Sequence, residues 1–416
     1  MNFFKGLYEF FKSASIAHAQ WDYEVSMSII KNKKKMLWII IAILPILLVA
    51  MAEAGGMLGA KTAYAPAFYS TKIFVVSIAI GLAAGLITGC IGAGGGFIIT
   101  PALMAAGVKG ILAVGTDLFH IFAKAIMGTT VHKKLGNVSV KLAVAFLVGS
   151  TGGALIGGFI NKGLYDYDPL LSEAFISLIY AALLGFLGFY SLIDFLRSRK
   201  GVDTGDAHGA APAAAPAVTI KVQAMNIPPM ITFDEDYVPG GRKISGVIVA
   251  AGGVIVGIMA AIMGVGGGFI TFPMFVYIFG VSSMNTVGTD ILQIIFTAGF
   301  AAITQYAIYG YVFYSLAMGM LLGSLIGIQV GAMTTKVVKG IHIRGFYAIS
   351  ILAGFINRVA TLPKKLTELE VVHIPKGISS GIETFGDIIF WVVVGFFALW
   401  IFSKFFGNIK KLKEGA

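Results

Sequence analysis

One cysteine, Cys90, stands in 416 residues, so no intrachain disulfide can form. Charge is scarce as well. Asp, Glu, Lys and Arg make up 12% of the chain, against roughly a quarter in soluble domains. With 57% hydrophobic residues and a mean hydropathy of +0.88, that scarcity excludes an ordinary soluble domain and points to an integral membrane protein. No CxxC pair or His/Cys cluster offers a metal site. No nucleophile–base pair has workable spacing, so the chain is not read as an enzyme and implies no cofactor. Acidic residues are the scarcer sign, 20 against 31 basic, for a net charge of +11. The basic residues lie between apolar runs rather than on one face. They are read as topology signals, and nucleic acid is not expected as a partner. Residues before 36 hold no contiguous apolar core, so no cleaved signal peptide is expected.

What is present in excess is glycine, and two stretches organise it. Ile91-Gly92-Ala93-Gly94-Gly95-Gly96-Phe97-Ile98 recurs as Met263-Gly264-Val265-Gly266-Gly267-Gly268-Phe269-Ile270. Each copy interrupts an apolar run. Each is followed by a short apolar segment with one proline, Pro101 or Pro273, and then by Val114-Gly115-Thr116-Asp117 or Val287-Gly288-Thr289-Asp290. A glycine run cannot hold a regular helix at bilayer depth unless protein or water satisfies the freed backbone. Two such breaks at matching points of two halves point to a transporter's binding site. Neither is a P-loop, because no Gly-Lys-Ser/Thr follows, nor a dinucleotide fingerprint, because no strand precedes.

The chain order predicts a cytoplasmic amphipathic segment over 1–35 and a first spanning helix with its outer loop over 36–71. Repeat 1 follows over 72–196, a cytoplasmic linker over 197–243 and repeat 2 over 244–361. An outer loop over 362–385 precedes a last spanning helix with a basic cytoplasmic tail, 386–416. Most apolar runs match the roughly 20 residues that cross a bilayer. The segments 97–106 and 269–279 cover about half of it at about 1.5 Å per residue. Reading 72–106 as a hairpin that dips in and returns places the basic clusters near His132, Arg197 and Arg242 in the cytoplasm, as the positive-inside rule asks. A hairpin plus three crossings is odd, so the second repeat is inverted relative to the first. The fold class is therefore an all-α polytopic membrane protein. It has two inverted-topology repeats, each a re-entrant helical hairpin plus three transmembrane helices, with extra transmembrane helices at both ends. Both termini are placed in the cytoplasm. Gly149, Gly153 and Gly157, and Gly323, Gly327 and Gly331, form stripes at spacing four, which suits close helix packing. Residues 209–217 are Ala/Pro-rich and flexible in character, and Val218 to Phe233 alternates enough for a short hairpin.

The candidate substrate-binding residues fall in two sets. At the glycine turns they are Gly94, Gly95, Gly96, Phe97 and Thr100, and Gly266, Gly267, Gly268, Phe269 and Thr271. Helices that open there aim unpaired amides and the positive end of the dipole at an anion. On the next helix they are Thr116, Asp117, His120 and Lys124, answered in the second half by Thr289, Asp290, Gln293 and Thr297. Asp117, His120 and Lys124 share one helical face. Lys124 this deep calls for a partner or a ligand. Asp117 and Asp290 fit either a helix cap after Gly-Thr or work on ligand and proton. His120 fits a coupling proton as well as a satisfied interior ring. The threonines fit anion oxygens or bonds back to their own helix. Arg358 fits an attracting charge near the outer end of its helix, and Cys90 fits packing.

The doubled GxGGGF turn, each followed by VGTD, resembles the sulfite exporter TauE/SafE family, also called toluene sulfonate uptake permeases. The resemblance covers roughly 72–196 and 244–361; the N-terminal segment and the 197–243 linker exceed the family pattern. It implies transport of a small sulfur oxyanion or organosulfonate, such as sulfite or sulfoacetate, across a bacterial inner membrane. An exporter is the expected direction. A thiosulfate or sulfonate importer and an anion channel are the alternatives. The sequence fixes no oligomeric state.

Overall fold

A computed structural model describes residues 71–91, 95–134, 138–198, 217–235, 240–334, 337–338 and 340–408. The expected amphipathic N-terminal segment, the first spanning helix and the basic tail lie outside these residues, as does Gly94. The first half holds α1 (Thr71–Ile91), α2 (Gly96–Ala105), α3 (Gly110–Lys134), α4 (Val140–Tyr167) and α5 (Pro169–Ser198). Then come α6 (Ala217–Gln223), β1 (Met230–Phe233) and β2 (Arg242–Ser245). The second half holds α7 (Gly246–Met263), α8 (Gly268–Pro273), α9 (Ser283–Ala301), α10 (Tyr314–Thr334) and α11 (Gly340–Glu368), and α12 (Lys376–Gly407) closes it. A π turn, Met274–Phe279, continues α8, and short π and 3-10 turns carry α9 to Tyr309.

Eight of the described helices are long and apolar enough to cross a membrane. The protein is an all-α polytopic membrane protein in its spanning part. The apolar segments Gly96–Ala105 and Gly268–Phe279 are too short to cross.

The two halves pack reciprocally. α1 lies along α10, and its counterpart α7 lies along α4, while α3 packs on α9 and α5 on α11. Glycine makes the first two seams possible. A Cβ on Gly149 would come within 1.8 Å of the Ala250 carbonyl oxygen, and one on Gly323 within 2.1 Å of that of Ile78. In a membrane, where lipid competes for apolar contact, this backbone-to-backbone approach is what favours one helix over lipid as neighbour.

Three local expectations are corrected. The 362–385 loop is mostly helix: α11 runs to Glu368 and α12 starts at Lys376, after Pro375. Asp117 and Asp290 are not caps, because α3 begins at Gly110 and α9 at Ser283, so both carboxylates sit inside helices. The hairpin is β1 with β2, antiparallel with Met230 opposite Ser245, whereas 217–223 is helical. Alternation is a weak signal over strands of four residues, and the pairing partner lay beyond the stretch that alternates. This small subdomain is docked on the second half: Thr219 Oγ1 donates to the Tyr277 carbonyl at 2.6 Å and Gln223 Nε2 to that of Phe279 at 2.7 Å.

Candidate functional site

The two glycine turns meet. A Cβ on Gly96 would lie 3.0 Å from Val265 Cα, inside the second turn. The rings of Phe97 and Phe269, the residues that follow the turns, stand 6.3 Å apart. Glycine is required in the second turn by the backbone itself: Gly264, Gly266 and Gly267 have φ of 80°, 64° and 89°, a region closed to most side chains. There α7 ends, and its last carbonyls lose their helical partners.

Those carbonyls are caught by side chains that sequence reasoning missed. Tyr306 donates to the carbonyl of Ala261, Asn161 Nδ2 to that of Ile262 at 3.3 Å, and Tyr180 to that of Met263. Asn161 also donates to the Tyr306 hydroxyl at 2.9 Å. An unpaired carbonyl in an apolar interior costs several kcal/mol, so these three residues are what lets the helix break there. The signal available was their polarity inside apolar runs; their target was not.

At the first turn, the Gly95 amide donates to Thr88 Oγ1 at 2.9 Å. Lys124 Nζ reaches the same hydroxyl at 3.4 Å. No carboxylate lies within 4.0 Å of Lys124 among the described residues. At the second turn, the amides of Ile270 and Thr271 both go to the Gly267 carbonyl at 2.9 Å. The carboxylate of Asp290 comes up to the same turn, its Oδ2 3.0 Å from where a Gly268 Cβ would be.

The expected polar face is buried and bonded across helices. Thr100 Oγ1 donates to Asp117 Oδ2 at 3.0 Å, and His120 Nε2 stands 2.8 Å from Ser324 Oγ on α10. In the second half Gln293 Nε2 donates to Asp290 Oδ1 and Thr297 Oγ1 to Gln293 Oε1, each at 2.9 Å. Ser150 of α4 follows, 2.6 Å from Thr297. Thr271 bonds back to the Gly267 carbonyl at 3.0 Å, the default for a helical threonine. Thr116 and Thr289 do something else. Thr116 accepts the amide of Phe313, just before α10, and Thr289 accepts that of Ser139, just before α4, each at 2.9 Å. Each VGTD threonine thus satisfies an orphan amide at the start of a helix in the other half. Thr100, Thr116, Asp117, His120, Thr271 and Thr289 are all at 0% exposure, so this set is sealed from solvent.

Arg358 is away from the turns. It is buried at the far end of α2, giving Nη2 to the Pro101 carbonyl at 3.3 Å and Nε to Asn357 at 2.8 Å. It borders a cavity of about 250 Å³ that Glu173, Lys365, Glu383 and Asp387 also line. Cys90 is buried, with Sγ 3.4 Å from the Gly331 carbonyl, a packing position.

Known proteins point the same way. The chain is 24% identical over 275 residues to the probable membrane transporter protein YunE of Bacillus subtilis, covering 63% of this chain and 89% of that one. It is 23% identical to YjnA of the same organism, over 61% of this chain and 87% of the relative. A probable membrane transporter protein of Xylella fastidiosa (strain 9a5c) is 25% identical over 62% of this chain and 84% of its own. No solved structure matches. The description "Sulfite exporter TauE/SafE" matches residues 76–357, a span that holds both glycine turns and both polar faces, and the chain belongs to this family of membrane transporters.

Proposed function

We propose that the protein is a secondary carrier that exports a small sulfur-containing anion, sulfite, sulfoacetate or another organosulfonate. The anion is held between the two glycine turns, near the middle of the bilayer, with Lys124 as its cation. The two hairpins enter from opposite faces. The reciprocal packing of α1 on α10 and α7 on α4 is what a twofold exchange of the halves produces, and the basic clusters near His132, Arg197 and Arg242 favour its inverted form.

The observation that carries the reading is Lys124. An ammonium within a spanning bundle costs a few kcal/mol at least and ordinarily has a counter-charge. Here its described hydrogen-bond partner is a hydroxyl at 3.4 Å that also holds the first glycine turn, and the carboxylate that acts on its charge, Asp117, stands beyond 4.0 Å. A small oxyanion placed there would gain a charge-assisted bond from Lys124. It would also reach the amides that open α8, where Gly268 and Phe269 meet no acceptor among the described residues. Glycine at 96 keeps a side chain from between the turns, since a Cβ there would lie 3.0 Å from Val265 Cα.

Lys124→Gln keeps the length and polarity and removes the charge. In proteoliposomes, the variant should show about tenfold weaker apparent affinity for sulfite or sulfoacetate, the loss of one charge-assisted bond of about 1.5 kcal/mol. Flux and affinity equal to those of the unaltered protein would take Lys124 out of the site. A thermal-shift screen against sulfite, sulfate, thiosulfate, sulfoacetate and taurine ranks the ligands, since a binder raises the unfolding midpoint.

A further inference from the structure

Asp117 and His120 each leave one buried atom unanswered, and the two atoms face each other. Both side chains are at 0% exposure. Asp117 Oδ2 accepts from Thr100, but Oδ1 has no hydrogen-bond partner. On His120, Nε2 faces Ser324 Oγ at 2.8 Å, and that hydroxyl donates its proton to the Gly81 carbonyl at 3.1 Å. Ser324 therefore accepts from His120, which assigns a proton to Nε2. His120 Nδ1 is left without a partner, and it lies 3.7 Å from Asp117 Oδ1. Two bare acceptors facing each other in an apolar interior repel; one proton on either turns the repulsion into attraction.

The second half serves as an internal comparison. Gln293 stands where His120 would, and its amide nitrogen donates to Asp290 Oδ1 at 2.9 Å. An amide always has that proton, so the matching contact is closed there without taking one up. Thr297 likewise stands in the place of Lys124, and the one carboxylate of the second-half polar face, Asp290, has its Oδ1 already held by an amide. The other ionisable groups near Asp117 are Lys124, on its own helix, and Tyr180 of α5, whose hydroxyl is given to the Met263 carbonyl. Thr100 of α2 and Ser324 of α10 face the pair and carry no charge.

Resting on the carrier reading above, we infer that Asp117 and His120 form the proton-binding site of the transport cycle, one proton per cycle, and that the second half holds none. The balance is simple. Carboxylate plus neutral imidazole carries −1; adding one proton brings the pair to 0, whether it rests on Oδ1 or on Nδ1. Unprotonated, Asp117 offsets the charge of Lys124. Protonated, it no longer does, and Lys124 is left to attract an anion. Proton and anion binding then favour each other, and linkage makes that effect mutual. The two move in the same direction, so acid outside drives uptake, and export runs where the outward anion gradient exceeds the inward proton gradient.

The test has two arms on the full chain. In lipid nanodiscs, ¹⁵N-histidine NMR, with His120→Gln assigning the signal, should show Nε2 protonated throughout. Nδ1 should change its protonation or hydrogen bonding with pH. A neutral ring protonated on Nδ1, or an Nδ1 signal that does not move with pH, overturns the proposal without reference to any substrate. In proteoliposomes, methanesulfonate is the probe, because it stays a monoanion and carries no proton itself. The ratio of uptake with an acidic exterior to uptake at equal pH should exceed one in the unaltered protein. It should fall to one in His120→Gln and in Asp117→Asn, which presents an amide to Nδ1 as Gln293 does to Asp290. A ratio kept in either variant overturns the pair as the proton site. No methanesulfonate flux in the unaltered protein counts against the carrier reading instead, and the NMR arm still decides the proton site.

Discussion

Thr116 and Thr289 show how little of a residue's task is local. Both sit in the tetrapeptide shared by the two halves, and both accept a backbone amide that lies 197 and 150 residues away. Replacing Thr116 by Val keeps the shape and strands the Phe313 amide in a buried position. The expected cost is about 1–3 kcal/mol, seen as a lower thermal unfolding midpoint in detergent, with Thr116→Ser staying close to the unaltered protein. An unchanged midpoint for the valine variant would mean the amide finds another acceptor. The same separation explains what the sequence showed of the polar face. Asp117, His120 and Lys124 were legible as one face, because spacing within a helix is local. Their partners Thr100, Ser324 and Thr88 were not, because each comes from another helix and a hydroxyl in an apolar run looks the same whatever it meets. For Asp117 and Asp290 the reading as caps failed for a similar reason: α3 and α9 start a full turn or more before the glycine of VGTD, α3 after Lys109 and α9 after Ser282, whose side chain makes no cap bond.

At the scale of elements, glycine spacing carried the most. The stripes at 149, 153 and 157 and at 323, 327 and 331 predicted close seams, and those seams join α4 to α7 and α10 to α1. Which helix each stripe meets was not legible, since a small-residue stripe names no partner. A valine at Gly323 would drive a side chain into the α1 backbone around Ile78, with an overpacking cost of about 1–3 kcal/mol or more, read as loss of monodisperse protein after purification. The docked subdomain was the least legible piece. Its anchor is Asp234, buried and held at φ 56°, which accepts from the Ser282 amide and hydroxyl at 2.8 Å and from Asn285 at 2.7 Å. Asp234 thereby caps the start of α9, the helix that carries Asp290 and Gln293. Asp234→Ala should lower stability by about 2 kcal/mol, since three bonds to a charged acceptor go and their donors stay; Asp234→Asn should recover part of it.

At the scale of the whole molecule, the remaining question is orientation, and it follows from where the short helices open. α2 leads to Lys109 and the second hairpin begins beside Lys243; both side chains are exposed. If the halves are inverted, the open end of the first hairpin and that of the second lie on opposite faces of the membrane. Charge supports this: Lys243 falls among the clusters that the positive-inside rule assigns to the cytoplasm, whereas Lys109 stands outside any such cluster. Single cysteines at 109 and 243, in a chain with Cys90→Ser, should be labelled by a membrane-impermeant maleimide from opposite sides of intact cells and inverted vesicles. Cys90 can be removed for this purpose because its one polar contact is a weak thiol bond to the Gly331 carbonyl. Labelling of both positions from one face would make the halves parallel. The two glycine turns would then enter from the same side, and an anion held between them would have no second gate through which to leave.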